Sequence, residues 1–153
     1  MIIAIDPSKK TPAVAIFDKG KFKKAFKLSR SKKGYYDSLY DLMNYAKEHD
    51  AQIIIEDQYK GINFNSITSL IECRAEIQAI AALVGVPIEI IHPKTWQTKA
   101  LHIRGKRMCR NDLKKLSKIR ASELIGKEIK DHDLADAINM ADVWLNVLRF
   151  NDN

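Results

Sequence analysis

Four carboxylates could do chemistry together. Asp6 ends the apolar run Ile2-Ile3-Ala4-Ile5, and Glu56 ends the run Ile53-Ile54-Ile55. Each stands where a strand gives way to a loop. Asp133 and Asp136 are three residues apart, so on a helix they share a face, separated by roughly 60° of rotation. Each acid alone has a plain structural role to offer. Asp6 could initiate a turn with Pro7, and Asp133 could serve the helix dipole. Together they are harder to explain that way. Two carboxylates about 5 Å apart repel by about 3 kcal/mol at an effective dielectric near 20. Gathering three or four calls for a cation, and an all-oxygen set without a histidine or cysteine quartet favours Mg²⁺ or Mn²⁺ over zinc.

The surrounding pattern says which elements must position them. Ile2–Ile5, Val14–Phe17 and the stretch carrying Phe22, Phe26 and Leu28 read as three antiparallel strands, with a hairpin turn at Asp18-Lys19-Gly20-Lys21. Phe22, Phe26 and Leu28 fall at even spacing between lysines, a half-buried strand with a basic outer face. A helix capped by Asp37 or Ser38 carries Leu39, Leu42, Met43 and Ala46. Gln52–Glu56 is a buried parallel strand. A long helix from Asn65 to Val84 turns Ile67, Leu70, Ile71, Ile77, Ala81 and Val84 inward, and Val86–Ile91 is a second buried strand closed by His92-Pro93. Helices over Asn111–Ile125 and His132–Leu148 finish the chain, the last with the core stripe Leu134, Ile138, Ala141, Leu145 and Leu148. The order β-β-β-α-β-α-β-α-α calls for an α/β fold, one five-stranded mixed sheet of three antiparallel and two parallel strands flanked by helices. In such sheets parallel neighbours end on one edge, which puts Asp6 and Glu56 side by side.

The 153 residues suit one domain spanning 1–153. No run of 18 apolar residues exists, so no membrane helix is expected. The N-terminus lacks a basic segment and a cleavage site and reads as a strand, not a signal peptide. Cys73 and Cys109 have neither metal spacing nor a disulfide framework, which points to a reducing cytoplasm. The net charge of +7 is unevenly spread. Positions 19–33 hold eight basic residues and no acid, and positions 94–120 hold ten against Asp112. That segregation fits a polyanion-binding surface beside an acidic site, and equally two solvated faces.

Three motifs carry a family resemblance: Ile2-Ile3-Ala4-Ile5-Asp6-Pro7, Ile54-Ile55-Glu56-Asp57-Gln58-Tyr59 and Asp133-Leu134-Ala135-Asp136-Ala137-Ile138. In this order and at these separations the chain resembles the RuvC-type Holliday-junction resolvases of the ribonuclease-H-like superfamily, with the short lysine-rich length of a phage-type member. The resemblance covers nearly the whole chain. It implies a Mg²⁺-dependent endonuclease that nicks four-way or other branched DNA symmetrically. Asp6, Glu56, Asp133 and Asp136 would be the catalytic metal ligands, holding two Mg²⁺ ions (Mn²⁺ substituting) for an in-line phosphodiester hydrolysis. It implies a homodimer too, because a junction has two strands to cut. Its location would be the cytoplasm of a bacterium or phage-infected cell. The family's glycines after Asp-Pro and at the start of the second strand are replaced here by Ser8 and by Pro12 or Ala13, which alters how DNA can lie over this loop.

The same resemblance suggests the DNA-binding side. Tyr59 is the candidate for stacking on unpaired bases, with Phe64 assigned to packing at a helix start. Lys106 and Arg107, followed by Arg104 and Lys99, belong to a basic loop that would close on phosphates. Trp96 reads as a core residue and Arg74 as a salt-bridge partner of Glu72 or Glu76. Ile71, Ala75, Ala79 and Ala82 offer either a dimer face or a wide buried face. His132 could orient a water or face solvent, and Asp131 is an outlying metal candidate. The competing functions are another ribonuclease-H-like nuclease acting on flaps, Y-junctions or RNA–DNA hybrids, and a non-catalytic nucleic-acid-binding module.

Overall fold

Lys19 and Gly20 both take positive φ, 50° and 77°, the two-residue turn whose twist matches that of the strands it joins. It folds strand β2 (Ala13–Asp18) back on β3 (Lys21–Lys27), and β1 (Ile2–Asp6) pairs antiparallel with β2 on the other side. The computed structural model describes residues 1–30, 33–57, 64–103, 105 and 108–148. Within them follow α1 (Tyr35–Glu48), β4 (Gln52–Glu56), α2 (Phe64–Val84), β5 (Ile88–Ile91), α3 (Pro93–Ala100), α4 (Arg110–Ile125) and α5 (His132–Val143). A π-helical turn, Trp144–Leu148, extends α5. The strand order is β3-β2-β1-β4-β5, with β1–β4 and β4–β5 parallel. This is the expected mixed sheet.

Alternation along the strands divides the core in two. Ile3, Ile5, Val14, Ile16, Ile53 and Ile55 pack with Leu39, Leu42, Met43 and Ala46 of α1 and with Cys73, Ile77, Ala81 and Val84 of α2. Ile2, Ala4, Ala13, Ala15, Phe17 and Ile54 pack on the other face with α3, α4 and α5. Each strand of the sheet centre is thus buried on both sides, which is why β1 and β4 are continuous apolar runs.

Several sequence expectations need correction. α1 begins at Tyr35, capped by left-handed Gly34 (φ 87°) and not by Asp37 or Ser38; Asp37 sits in the first turn, where the helix dipole favours it. Helix α3 was not expected at all. His92 and Pro93 do not merely close a strand: the His92 side chain accepts the Lys94 N–H as an N-cap, and Pro93 occupies the first turn. β5 is shorter than Val86–Ile91 and lies at the sheet edge, with Glu89 and Ile90 exposed and Ile91 buried, so it is buried only in part. Ile71 is 45% exposed, because α2 is buried along the stripe of Cys73, Ile77, Ala81 and Val84, from which Ile71 points away. α5 is enclosed on more than one stripe: Ala135, Ala137, Ile138, Asn139, Met140, Ala141 and Val143 are all buried. It lies between the sheet and α3 and α4.

The half-buried strand β3 also departs from simple alternation. Phe17 pairs with Phe22 but Ile16 pairs with Lys24, so Lys23 is an extra residue in β3. This bulge reverses the facing of everything after it. Phe22 therefore packs with the α5 side, whereas Phe26 and Leu28 pack with the α1 side. No described helix is long and apolar enough to cross a membrane.

Candidate active site

One row of the sheet positions the site. Lys27 pairs with Ala13, Ala13 with Asp6, and Glu56 with Ile91, while Ile5 pairs with Ile55 and so leaves Asp6 beside Glu56. Cross-strand partners point to the same face, and for this row it is the face that α5 covers. The helix presents Asp133 and Asp136 from its first turns. All four predicted carboxylates therefore meet at the C-terminal ends of β1 and β4.

Their electrostatics follow from that placement. Asp6 is buried, and its pKa is pushed well above the usual carboxylate range, first by burial and then by the charges of Glu56, Asp136 and Asp133. Burial also raises Glu56 to about 7, against a hydrogen bond from Trp96 that pulls it down. Asp6 and Glu56 lie close enough to share a hydrogen bond. Asp136 rises to about 6, again chiefly through burial, against the opposing Ser117 hydroxyl. Three acids that resist ionisation together are short of positive charge. Among the described residues, no lysine or arginine forms an ion pair with Asp6, Glu56 or Asp136.

Neutral donors hold two of them in place. Trp96 Nε1 donates to Glu56 Oε1 at 2.7 Å, and Ser117 Oγ donates to Asp136 Oδ1. Asn139 Nδ2 in turn donates to both the Ser117 carbonyl and hydroxyl at 2.9 Å. Lys114, one turn before Ser117 on α4, adds a favourable charge near Asp136.

Asp133 is treated differently. Lys27 Nζ reaches its Oδ2 at 2.8 Å and Asp131 Oδ2 at 2.7 Å, and His132 Nε2 lies 2.9 Å from its Oδ1. Asp131 is the N-cap of α5, accepting the Asp133 and Leu134 N–H groups at 2.9 and 3.0 Å. This capping and the Lys27 contact occupy both carboxylate oxygens of Asp131. Burial raises the Asp131 pKa, but the hydrogen bond from Lys27 and those from the helix outweigh it and leave the value lowered.

The donor set suits a hard divalent cation by its chemistry: oxygen only, and crowded enough to repel itself. The described residues do not, however, form a ready cage of three or more ligands. The side chains hold outside partners in place of closing on a common centre.

No protein-family model matches the sequence, and comparison with curated proteins finds no match. Solved structures do match. A RuvC structure from Thermus thermophilus superposes with a TM-score of 0.67 over 98% of this chain and 96% of its own, at 16% identity. T. thermophilus RuvC in complex with a Holliday junction substrate gives 0.68 over 97% and 94%, at 13% identity. The chain has the RuvC fold. It reaches that fold from a sequence so different that three short motifs alone carried the resemblance.

On this RuvC fold the remaining expectations fall as follows. Lys99 lies half-buried in the last turn of α3. Tyr59, Arg104, Lys106, Arg107 and the Phe64 side chain lie outside the described residues. Arg74 does form a salt bridge, but with Asp57 and not with Glu72 or Glu76; Asp57 points to the opposite face from Glu56, toward α2. Glu76 instead takes a two-pronged contact from Arg30, at 2.6 and 3.0 Å. Trp96 is a core residue, as expected, and its contact with Glu56 makes it a residue of the site too. Lys27 and Ser117 were not singled out in the sequence. Lys27 was hidden by the bulge, and a serine in mid-helix carries no distinguishing signal.

Proposed function

We propose that this chain is a divalent-metal-dependent endonuclease that resolves four-way DNA junctions as a homodimer. The carrying observation is the set Asp6, Glu56 and Asp136: three acids of raised pKa brought to one sheet edge, none of them in an ion pair with a lysine or arginine among the described residues. The fold adds support, since T. thermophilus RuvC of the same fold was solved with a Holliday junction substrate. Branched DNA also suits the basic stretches at 19–33 and 94–120, which alternate in sequence with the acids of the centre.

Asp6, Glu56, Asp136 and, in the complete catalytic complex, Asp133 would hold two Mg²⁺ or Mn²⁺ ions. When bound, these ions supply an activated water and stabilise the leaving oxygen. The protein's part is positioning. Trp96 fixes the Glu56 carboxylate, Ser117 and Asn139 fix Asp136, and burial keeps the site in a low dielectric where each charge counts for more. Lys114 and the basic loop containing Lys106 and Arg107 would take phosphates, and Tyr59 would stack on bases. The exposed stripe of Ile71, Ala75, Ala79 and Ala82 on α2 would join two copies, each cutting one strand. The cytoplasm, where cellular DNA is accessible, is the place for such an activity.

The test compares cleavage of a four-way junction, a Y-junction and an RNA–DNA hybrid with Mg²⁺ and with EDTA. Paired nicks on the four-way junction, lost in EDTA, are expected. Asp6→Asn, Glu56→Gln and Asp136→Asn should each reduce cleavage by at least about 10³-fold, in the range of removing a group essential to the chemistry, while junction binding by gel shift is kept. Preferred cutting of the Y-junction or hybrid would make it a different ribonuclease-H-like nuclease. Metal-independent binding without cleavage of any substrate would leave only a binding module.

A further inference from the structure

The acidic cluster is not uniform. Asp6, Glu56 and Asp136 hydrogen-bond neutral groups or one another, whereas both oxygens of Asp133 are engaged, one by Lys27 and one by His132. Lys27 is itself anchored twice. The bulge at Lys23 sets it in register with Ala13 and Asp6, and Asp131, fixed as the cap of α5, holds the ammonium from the other side. We infer that Lys27 is a built-in cation that keeps Asp133 out of the metal-binding set, so that the DNA-free chain takes up one divalent ion and not two.

This rests on the metal-nuclease reading and refines it. An ammonium placed between Asp131 and Asp133 neutralises the charge that would attract a second ion, and it repels that ion directly. The first ion goes to Asp6, Glu56 and Asp136, which Lys27 and Lys114 reach only at a distance and with which no described lysine or arginine forms an ion pair. A DNA phosphate arriving at the site is the competing anion for Lys27, and its arrival would free Asp133. In the DNA-free chain Lys27 is thus a positioning residue: it acts on the metal through Asp133.

The experiment is Mn²⁺ titration of the full chain without DNA, followed by calorimetry and by the EPR signal of free Mn²⁺. Wild type should bind one ion per chain. Lys27→Met, of similar length but neutral, should bind two, or bind the second at least about tenfold more tightly. Lys27→Arg should return to one, and so should Lys27→Met combined with Asp133→Asn. In the wild-type background, Asp133→Asn should leave the affinity for the single ion within about twofold. Two ions in wild type, or one ion in a Lys27→Met chain that keeps its far-UV circular dichroism, overturns the inference and leaves the nuclease reading intact. If Lys27→Met does not fold, Asp133→Asn decides: about tenfold weaker binding of the single ion would place Asp133 in the set and overturn the inference. No Mn²⁺ binding by wild type would overturn both the inference and the nuclease reading.

Discussion

Asp6, Glu56 and Asp136 all hold their protons more tightly in the folded chain than they would in an unfolded one. A carboxylate whose folded pKa is raised favours the folded state while protonated. That contribution is fully present below the unfolded value, roughly 4, and is lost as pH rises through the folded value. For Asp136 and Glu56 the loss falls between about pH 4 and the raised values of about 6 and about 7. Asp131, whose pKa is lowered, acts only on the acid side of this window. The metal-free protein should therefore have a lower Tm at pH 8 than at pH 5, and saturating Mg²⁺ at pH 8 should recover much of the difference. Asp136→Asn should flatten the profile and stabilise the metal-free chain at pH 8 by about 2 kcal/mol, while the proposed function expects the same change to abolish cleavage. Differential scanning calorimetry in EDTA across this range checks both; a Tm that rises from pH 5 to pH 8 would contradict the assignment of these acids.

Helix α3 is the element whose function is least visible from its composition. Its short apolar face buries Trp96 and Ala100 against the α5 side of the core, and the same indole reaches Glu56 across the row. Packing and site geometry are therefore set by one ring. Trp96→Phe keeps most of the buried ring and removes only the donor. The expected result is a modest fall in Tm with a roughly tenfold loss of cleavage, the usual worth of a charge-assisted hydrogen bond. Because that hydrogen bond lowers the Glu56 pKa, its loss should also move the acid limb of the pH–rate profile to higher pH. An unshifted profile would reduce Trp96 to a packing residue. α5 carries the matching constraint from the other side, where Ser117 of α4 ties Asp136 to Asn139.

Taken as one molecule, the chain leaves large apolar side chains on the outer side of α2, with Ile71 45% and Leu83 80% exposed. Single exposed apolar residues are ordinary, but a stripe running with Ala75, Ala79 and Ala82 along one helix suits a two-fold contact between copies. Ile71→Asp should leave the monomer folded, because the side chain lies outside the core. It should shift the sedimentation coefficient from dimer to monomer and convert paired cleavage of a junction into single nicks. Retained dimerisation and paired cutting would place the interface elsewhere or remove the need for one.

Much of this was legible from residue order alone. Ile2–Asp6 and Gln52–Glu56 read as central strands, because the short apolar runs Ile2–Ile5 and Ile53–Ile55, each ending in an acid, can be buried on both faces inside a sheet. Asp133 and Asp136 had to share a helical face, because their spacing fixes it. The Lys19-Gly20 turn was readable from glycine's tolerance of positive φ. What stayed hidden depends on relations between strands and helices that are far apart in sequence. One bulged residue, Lys23, reverses the alternation of β3, sends Phe26 to one core and Lys27 to the other, and so delivers an ammonium to Asp133 from 106 positions away. Counting residues along a strand predicts the face of each side chain only while the register holds, and the register is settled by hydrogen bonds to the neighbouring strand. Likewise nothing local to Trp96 or Ser117 distinguishes a core ring or a mid-helix hydroxyl from a partner of Glu56 or Asp136. Only packing of α3 and α4 against the sheet and α5 brings those donors within reach.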